Sequence, residues 1–160
     1  MREDLLDQVR EVPMTPNVET MGNSANLPAK PRMRTRVGHD VVLVRTVADA
    51  ISRFGDAYLR RIYTDAELAP LANEPPTVTA GRVAARFAAK EAVMKVLHTG
   101  DEWPDFHEIE VLRQPGGWCE LQLSGRALAR AEAEGLFGFS VSITHDGEYA
   151  AATVAALQLV

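Results

Sequence analysis

Two carboxylates, Asp40 and Glu91, occupy positions where a charged side chain is costly. Asp40 falls in the strand-like segment 36–44, where alternation places it on the same face as Val42. Glu91 falls in the middle of an apolar helical segment. A buried carboxylate must be paired or bound to a metal, and Mg²⁺ typically takes one or two carboxylates together with water and phosphate. Two separate salt bridges, for example Glu91 with Lys95 at i,i+4, are the simpler alternative from spacing alone.

The helical segment RFAAKEAVMKVLHTG, residues 86–100, carries two polar stripes. At about 100° per residue, Arg86 and Lys90 share one direction and Glu91 and Lys95 share another. An ordinary surface helix has one polar face. Arg86 and Lys90 are like charges on adjacent turns, a repulsion that a phosphate between them would relieve. Alternatively, each pairs with an acid elsewhere in the fold.

Composition restricts the class of protein. The chain has 160 residues, 46% hydrophobic and 24% charged, which fits one globular domain with a real core. No apolar run reaches the ~18–20 residues that span a bilayer, and the charged N-terminus does not resemble a secretory signal. Cys119 is the only cysteine, which excludes an internal disulfide and a thiolate zinc cluster. We therefore expect a cytoplasmic protein with no membrane partner.

The net charge is −5, but the segment from Lys30 to Arg61 has eight basic and three acidic residues. This local excess is either a solvated surface or a docking site for an acidic partner or phosphate. A nucleic-acid partner is not expected, because the chain is acidic and carries no nucleic-acid motif.

The order of predicted elements indicates an α+β fold. Residues 1–34 are rich in proline and small polar residues and are predicted to be a disordered extension, followed by a domain over 35–160. The patterns then predict a strand at 36–44, a helix at 47–62, a capping box from Thr64 to Glu67, a long helix at 79–98, strands at 108–113 and 118–124, a helix at 125–135, and a hairpin turning at Asp146-Gly147. This β-α(n)-ββ-α-ββ order favours a mainly antiparallel sheet packed on the long central helix.

Three sequence blocks carry a family resemblance: VGHDVV (37–42), GRVAARFAAKEAVMKVLHTG (81–100) and VSITHDGEYAAA (141–152). In this order and spacing they resemble holo-acyl carrier protein synthase, the small single-domain class of 4′-phosphopantetheinyl transferases. The resemblance implies transfer of 4′-phosphopantetheine from coenzyme A to a serine of an acidic acyl carrier protein, with release of adenosine 3′,5′-bisphosphate. It also implies a homotrimer with active sites at subunit interfaces. A non-catalytic module of the same fold that binds carrier protein or coenzyme A is the alternative.

The resemblance also assigns residues. It implies that Mg²⁺ is held by Asp40 and Glu91, and that catalysis involves Glu91, Lys95 and His145. The implied coenzyme A contacts are Arg86, Lys90, Lys95, Thr99, Gly100 and His145. The implied docking residues for the carrier protein are Arg45, Arg53, Arg60 and Arg61. The general base stays open between Glu91 and a metal-bound water.

Two residues depart from the family pattern. His39 stands where an aliphatic residue is usual, and we expect it to face away from Asp40. His98 stands where glycine is usual, which is expected to alter the loop at Thr99-Gly100. The sequence favours a role in lipid metabolism, but does not distinguish fatty acid biosynthesis from polyketide synthesis.

Overall fold

The computed structural model describes residues 32–100 and 102–160. The predicted N-terminal extension, 1–34, lies outside the described residues except for its last three. Strand β1, Met33–Leu43, begins within that predicted extension, so residues 33 and 34 belong to the sheet.

The order of elements follows the predicted pattern and confirms the α+β class. The helices are α1 Val44–Phe54, α2 Asp56–Ile62, α3 Asp65–Leu68, α4 Pro76–Leu97 and α5 Gly125–Ala133, and short 3₁₀ turns cover Ala69–Leu71 and Phe106–Glu108. The remaining strands are β2 Ile109–Arg113, β3 Cys119–Leu123, β4 Leu136–Asp146 and β5 Tyr149–Leu159. Within the described residues, no helix is both long and apolar enough to cross a membrane.

The strands form two antiparallel sheets, one with the order β1-β5-β4 and the other a β2-β3 hairpin. In the final hairpin Asp146 pairs with Tyr149, so the turn consists of Gly147 and Glu148, one residue beyond the predicted pair. Gly147 has φ of +55°, and Glu148 does not have a positive φ. A positive φ at the first turn position alone is the pattern of a type II′ turn, which matches the twist of the flanking strands.

Helix α4 is surrounded by other elements, which explains its lack of a single polar face. It contacts α1, β1, β2, β4 and β5, and Ala88, Ala89 and Ala92 are fully buried. These small side chains let the sheet approach the helix closely. At Gly38 of β1 an added Cβ would overlap the carbonyl oxygen of Ala92, so any larger residue would push β1, and with it Asp40, away from α4.

The single helix predicted over 47–62 is wrong, because the chain breaks at Gly55. That residue has φ 53° and ψ −136°, a conformation that favours glycine and ends α1. As a result Phe54, predicted to lie on the apolar stripe, is 54% exposed. The predicted capping box is confirmed: the Thr64 side chain accepts the Glu67 N–H, and the Glu67 side chain accepts the Thr64 N–H.

Candidate active site

Asp40 and Lys95 form an ion pair at the junction of β1 and α4. Nζ of Lys95 lies 2.9 Å from Oδ1 of Asp40 and donates to the carbonyl oxygen of His39 at 2.7 Å. The Lys95 side chain is 52% exposed and that of Asp40 is 18% exposed. The pair is therefore open to a ligand on the lysine side. His39 faces away from this pair, as predicted, and its Nδ1 lies 2.9 Å from Oγ1 of Thr153.

Glu91 lies beside this pair without joining it. Among the described residues no cation lies within 4.0 Å of its carboxylate, so the predicted alternative of a Glu91–Lys95 salt bridge is not formed. Burial raises the pKa of the Glu91 carboxyl, the charge of Asp40 raises it further, and Lys95 opposes both effects. Asp40 and Glu91 are therefore close enough to repel each other. We call Asp40, Glu91 and Lys95 the carboxylate site.

A cleft of about 230 Å³ opens on the carboxylate site where α4 ends. It is lined by Glu91, Met94, Lys95, His98, Thr99, Gly100 and Trp103. His98 ends the helix in the left-handed conformation, with φ of 50°, where glycine would fit without strain. Arg130 of α5 stabilises this end by donating to the carbonyl oxygens of Leu97 and His98, at 3.3 and 3.2 Å.

The donor set of the carboxylate site fits Mg²⁺. The charge of Asp40 acts on the partly buried carboxyl of Glu91, and Lys95 only partly offsets it, so a hard cation held by the two carboxylates would relieve their repulsion. Within residues 32–100 and 102–160 there is no group of three or more His, Cys, Asp or Glu side chains suited to a metal. Two protein carboxylates are nevertheless sufficient for Mg²⁺, which usually keeps several waters and binds substrate phosphate.

A second, separate pocket of about 220 Å³ lies against the N-terminal half of α4. We call it the arginine pocket, since its lining includes Arg82, Arg86 and Arg113, together with the imidazole of His145. His145, at the end of β4, packs against Gly81 of the helix. The predicted catalytic residue His145 therefore lies apart from Glu91 and Lys95, and the two pockets share no lining residue.

Arg86 is the most deeply buried arginine of the arginine pocket. Its side chain is only 2% exposed, and no carboxylate lies within 4.0 Å of it in the described part of the chain. Its Nη1 donates to the Arg82 carbonyl oxygen at 3.2 Å, whereas its Nε is buried without any partner. Burial lowers the pKa of this guanidinium, although an arginine remains charged. An unpartnered buried donor is costly, and an anion in the pocket would satisfy it.

The structure does not support Lys90 as a phosphate ligand. Lys90 is fully buried, and its ammonium lies 2.8 Å from Oε2 of Glu67. The alternative left open by the sequence, a pair with an acid elsewhere in the fold, is correct for Lys90. Arg86 and Lys90 therefore lie on the same side of α4, but Arg86 lines a pocket whereas Lys90 is bonded inside the protein.

The four predicted docking arginines, Arg45 and Arg53 of α1 and Arg60 and Arg61 of α2, are all exposed. Arg60 lies 3.6 Å from Asp65 in a pair that is open to water. The guanidinium of Arg53 lies over the exposed ring of Phe54, 5.0 Å from its centroid. This corner of the molecule thus combines positive charge with an accessible aromatic ring.

Sequence reasoning missed two cations of the arginine pocket, Arg82 and Arg113. Arg82 lies one turn before Arg86, a spacing that was available as a signal. Arg113 ends β2, and only the path of the β2-β3 hairpin brings it to α4. Glu67 was recognised as a capping residue, but not as the partner of Lys90.

Comparisons with known proteins identify the class. Residues 36–154 match the family described as the 4′-phosphopantetheinyl transferase superfamily, and the chain belongs to this family. A holo-[acyl-carrier-protein] synthase from Solidesulfovibrio magneticus is 47% identical over 119 residues, covering 74% of this chain and 94% of that protein.

Solved structures agree with the assignment. A coenzyme A complex of the synthase from Chronobacterium ammoniagenes is 29% identical with a TM-score of 0.68, covering 79% of this chain and 98% of that one. A Bacillus anthracis holo-(acyl-carrier-protein) synthase in complex with CoA (3′,5′-ADP) is 26% identical with a TM-score of 0.65, covering 79% and 99%. The predicted resemblance and fold are confirmed.

Proposed function

We propose that this enzyme transfers 4′-phosphopantetheine from coenzyme A to a serine of an apo acyl carrier protein and releases adenosine 3′,5′-bisphosphate. The observation that carries this proposal is the grouping of Asp40, Glu91 and Lys95, in which Lys95 pairs with Asp40 and lines a cleft together with Glu91. The names of its relatives, and the coenzyme A bound in the structures of two of them, point to the same substrates.

The reaction joins the serine oxygen to the phosphorus that bears the pantetheine arm and breaks the bond from that phosphorus to the bridging oxygen. Such a transfer depends mainly on positioning and charge neutralisation. Lys95 keeps an N–H free beyond its bonds to Asp40 and His39, and it can stabilise charge on the leaving phosphate. The acceptor of the serine proton stays open between Glu91, which lines the cleft beside Lys95, and a metal-bound water.

We propose Asp40 and Glu91 as the protein ligands of Mg²⁺. A bound Mg²⁺ ion would polarise the pyrophosphate oxygens and offset their charge. Lys95 would remain against Asp40, so that one cation balances each carboxylate.

We propose that the arginine pocket binds phosphates of coenzyme A held mainly by a neighbouring copy. Within one chain, Arg86 and His145 line a different pocket from Glu91 and Lys95, so neither pocket alone has all the predicted groups. The outer face of the β1-β5-β4 sheet exposes Val37, Val41 and Tyr149, each more than half accessible. An apolar sheet face of this kind favours contact with another copy, in keeping with the expected homotrimer.

The exposed corner of α1 and α2 is the proposed docking surface for the acidic carrier. Charge attraction to Arg45, Arg53, Arg60 and Arg61 would make association fast and dependent on salt. Phe54 would supply apolar contact at the centre of this surface. We place the reaction in lipid metabolism and in the cytoplasm, an assignment that rests on the proposed substrates and on the sequence.

The transfer is tested by incubating the protein with apo carrier protein, coenzyme A and Mg²⁺ and weighing the carrier by mass spectrometry. We expect the carrier to gain one phosphopantetheine, and we expect Asp40→Ala and Glu91→Ala to abolish the gain. Glu132→Ala, which changes an exposed carboxylate on α5, is the matched control and should retain the transfer. Coenzyme A binding without any mass gain would instead support the non-catalytic module.

Sharing of the site between copies is tested by complementation. Glu91→Ala and His145→Ala are each expected to be inactive. When the two variants are co-expressed, mixed oligomers should regain part of the activity, because some interfaces then combine an intact Glu91 with an intact His145. Activity that stays absent in verified mixed oligomers, or a stable monomer in sedimentation, would contradict the shared site.

The docking surface is tested by charge reversal. Arg53→Glu should raise the KM for carrier protein by about tenfold and leave the KM for coenzyme A nearly unchanged. Arg126→Glu makes the same change in net charge on α5 and should not affect the carrier KM. If both variants raised the carrier KM equally, the effect would come from the net charge of the protein and not from docking at Arg53.

A further inference from the structure

A buried ion pair joins Glu67 of α3 to Lys90 of α4. Nζ of Lys90 is 2.8 Å from Oε2 of Glu67, and both side chains are 0% exposed. The same ammonium donates to the carbonyl oxygens of Phe106 at 2.8 Å and Ile109 at 2.6 Å. An ammonium has three donors, and all three are therefore used.

Both carboxylate oxygens of Glu67 accept hydrogen bonds as well. Its Oε1 accepts the N–H of Val111 in β2 at 3.1 Å, and its Oε2 accepts the N–H of Thr64 at 3.0 Å. Glu67 and Lys90 together tie α4 to α3, to β2 and to the turn before β2. Because neither side chain reaches solvent, the pair has no capacity for a ligand and acts only on the structure around it.

Lys90 lies close to the site residues of α4, whose positions depend on how this helix is rotated about its axis. Glu91 is the next residue, about 100° around the helix, and Arg86 is one turn earlier. A small rotation of α4 would therefore displace Glu91 from Asp40 and Arg86 from the arginine pocket at the same time.

Apolar packing distinguishes rotations of this helix poorly. The residues that α4 buries include Ala84, Ala85, Ala88, Ala89, Ala92, Val83, Val93 and Val96. These small side chains lie on several sides of the helix and present similar surfaces to the surrounding elements, and the larger buried apolar residues Met94 and Leu97 lie only in its last turn. Directional hydrogen bonds differ in this respect, because a fully satisfied buried polar network specifies one arrangement.

We propose that Glu67 is a positioning residue of the transfer reaction, which through Lys90 fixes the rotation of α4 and so holds Glu91 against Asp40 and Arg86 in the arginine pocket. This inference rests on the proposed function. It also gives Lys90 a role in place of the phosphate contact that its burial excludes.

The first test is Glu67→Gln, which keeps the shape of the side chain and removes its charge. Assayed below its melting temperature, the variant should lose about tenfold or more in kcat, since small misplacements of reacting groups are costly. The KM for carrier protein should change by less than about twofold, because the docking arginines on α1 and α2 are untouched. The dissociation constant for coenzyme A, measured by calorimetry, should rise because Glu91 and Arg86 are displaced.

The second test separates positioning from stability. The double variant Glu67→Gln/Lys90→Met removes both buried charges, and its melting temperature should return towards that of the wild type. Its kcat should stay low, because the bonds from Lys90 to Phe106 and Ile109 are lost. A kcat that recovers together with the melting temperature would overturn the proposal. If Glu67→Gln does not fold, the kcat of the double variant alone tests whether Glu67 and Lys90 position α4.

Glu110→Gln is the matched control. Glu110 is partly buried and accepts the hydroxyl of Thr64 at 2.6 Å, but it is not bonded to α4 in the described part of the chain. This variant should keep kcat within about twofold. If the wild-type protein transfers no phosphopantetheine, the proposed function itself is wrong. If the wild type is active and both Glu67 variants keep its kcat, only the positioning role of Glu67 is wrong.

Discussion

The two lysines of α4 make ion pairs of nearly equal length in opposite surroundings. Lys95 lies 2.9 Å from Asp40 with more than half of its side chain in solvent, whereas Lys90 lies 2.8 Å from Glu67 with both partners at 0% exposure. Lys90 has all its donors bonded within the protein, and Lys95 keeps one free. Distance alone therefore does not separate a structural pair from a functional one; exposure and unused bonding capacity do.

The largest expected effect is on stability, from Lys90→Met. This change leaves the Glu67 carboxylate buried and unpaired, which typically costs about 3–5 kcal/mol. Urea unfolding should show this loss, whereas Lys95→Met should cost less than about 1 kcal/mol because its pair is open to water. Similar losses in the two variants would mean that the two pairs are equivalent after all.

The second effect is on activity, from Lys95→Met. We expect kcat to fall by about 100-fold, since a cation aimed at developing phosphate charge is removed, while the melting temperature changes little. Initial rates of carrier modification measure the effect. A variant with full kcat would show that Lys95 only neutralises Asp40 and takes no part in the transfer.

The third prediction concerns pH and Glu91. Because the folded-state pKa of Glu91 lies above its ordinary value of 4.5, the folded protein binds more protons than the unfolded chain in the window just above pH 4.5. Stability therefore falls as pH rises through this window, and the penalty persists at neutral pH. Glu91→Gln lacks the penalty, so without divalent cations it should melt higher than the wild type at pH 7, with the advantage vanishing below pH 4.5.

The control for this pH prediction is Glu132→Gln on the exposed side of α5, which should follow the wild-type melting curve at every pH. If the melting temperature of Glu91→Gln exceeded that of the wild type by more at low pH than at pH 7, the pKa of Glu91 would be lowered in the folded protein and the prediction would be wrong.

The smallest effect is expected at the end of α4. His98→Gly should stabilise the protein by up to about 1 kcal/mol, because glycine adopts a positive φ without the Cβ clash and loses part of that gain through its greater freedom when unfolded. The neighbouring change Thr99→Gly is the control and should destabilise, since Thr99 does not have a positive φ. Thermal unfolding measures both changes. If His98→Gly were less stable than the wild type, the histidine side chain would stabilise the fold by more than its backbone strain destabilises it.

Much of the fold was predictable because its signals are local. The capping box from Thr64 to Glu67 depends on a spacing of three residues, and the β4-β5 hairpin depends on a glycine at its turn. The division between α1 and α2 was missed because a single glycine inside a helical pattern is often tolerated. At Gly55 the φ and ψ values, which the sequence does not reveal, end the helix.

The site was predictable in part. Asp40, Glu91 and Lys95 were selected from the cost of burying charge and from the family resemblance. The structure pairs Lys95 with Asp40 and places Lys95 and Glu91 in one cleft. Their roles stay predictions. The sequence did not reveal that Lys95 pairs with Asp40 and not with Glu91. The Glu91–Lys95 spacing of i,i+4 is visible along the chain, whereas the Asp40–Lys95 contact depends on the packing of β1 against α4. His145 and the docking arginines also stay predictions.

The sequence by itself determined the family, the order of elements and the presence of two charged stripes on α4, since all of these follow from residue types and short spacings. Only the tertiary structure decided that Lys90 is sealed inside the protein, whereas Arg86, Glu91 and Lys95 line pockets. Glu67 lies 23 residues from Lys90 along the chain, and the packing of α3 and β2 onto α4 brings the two together and seals them from water. The physical reason is that solvation, which separates a reactive charge from a structural one, depends on the whole surrounding fold.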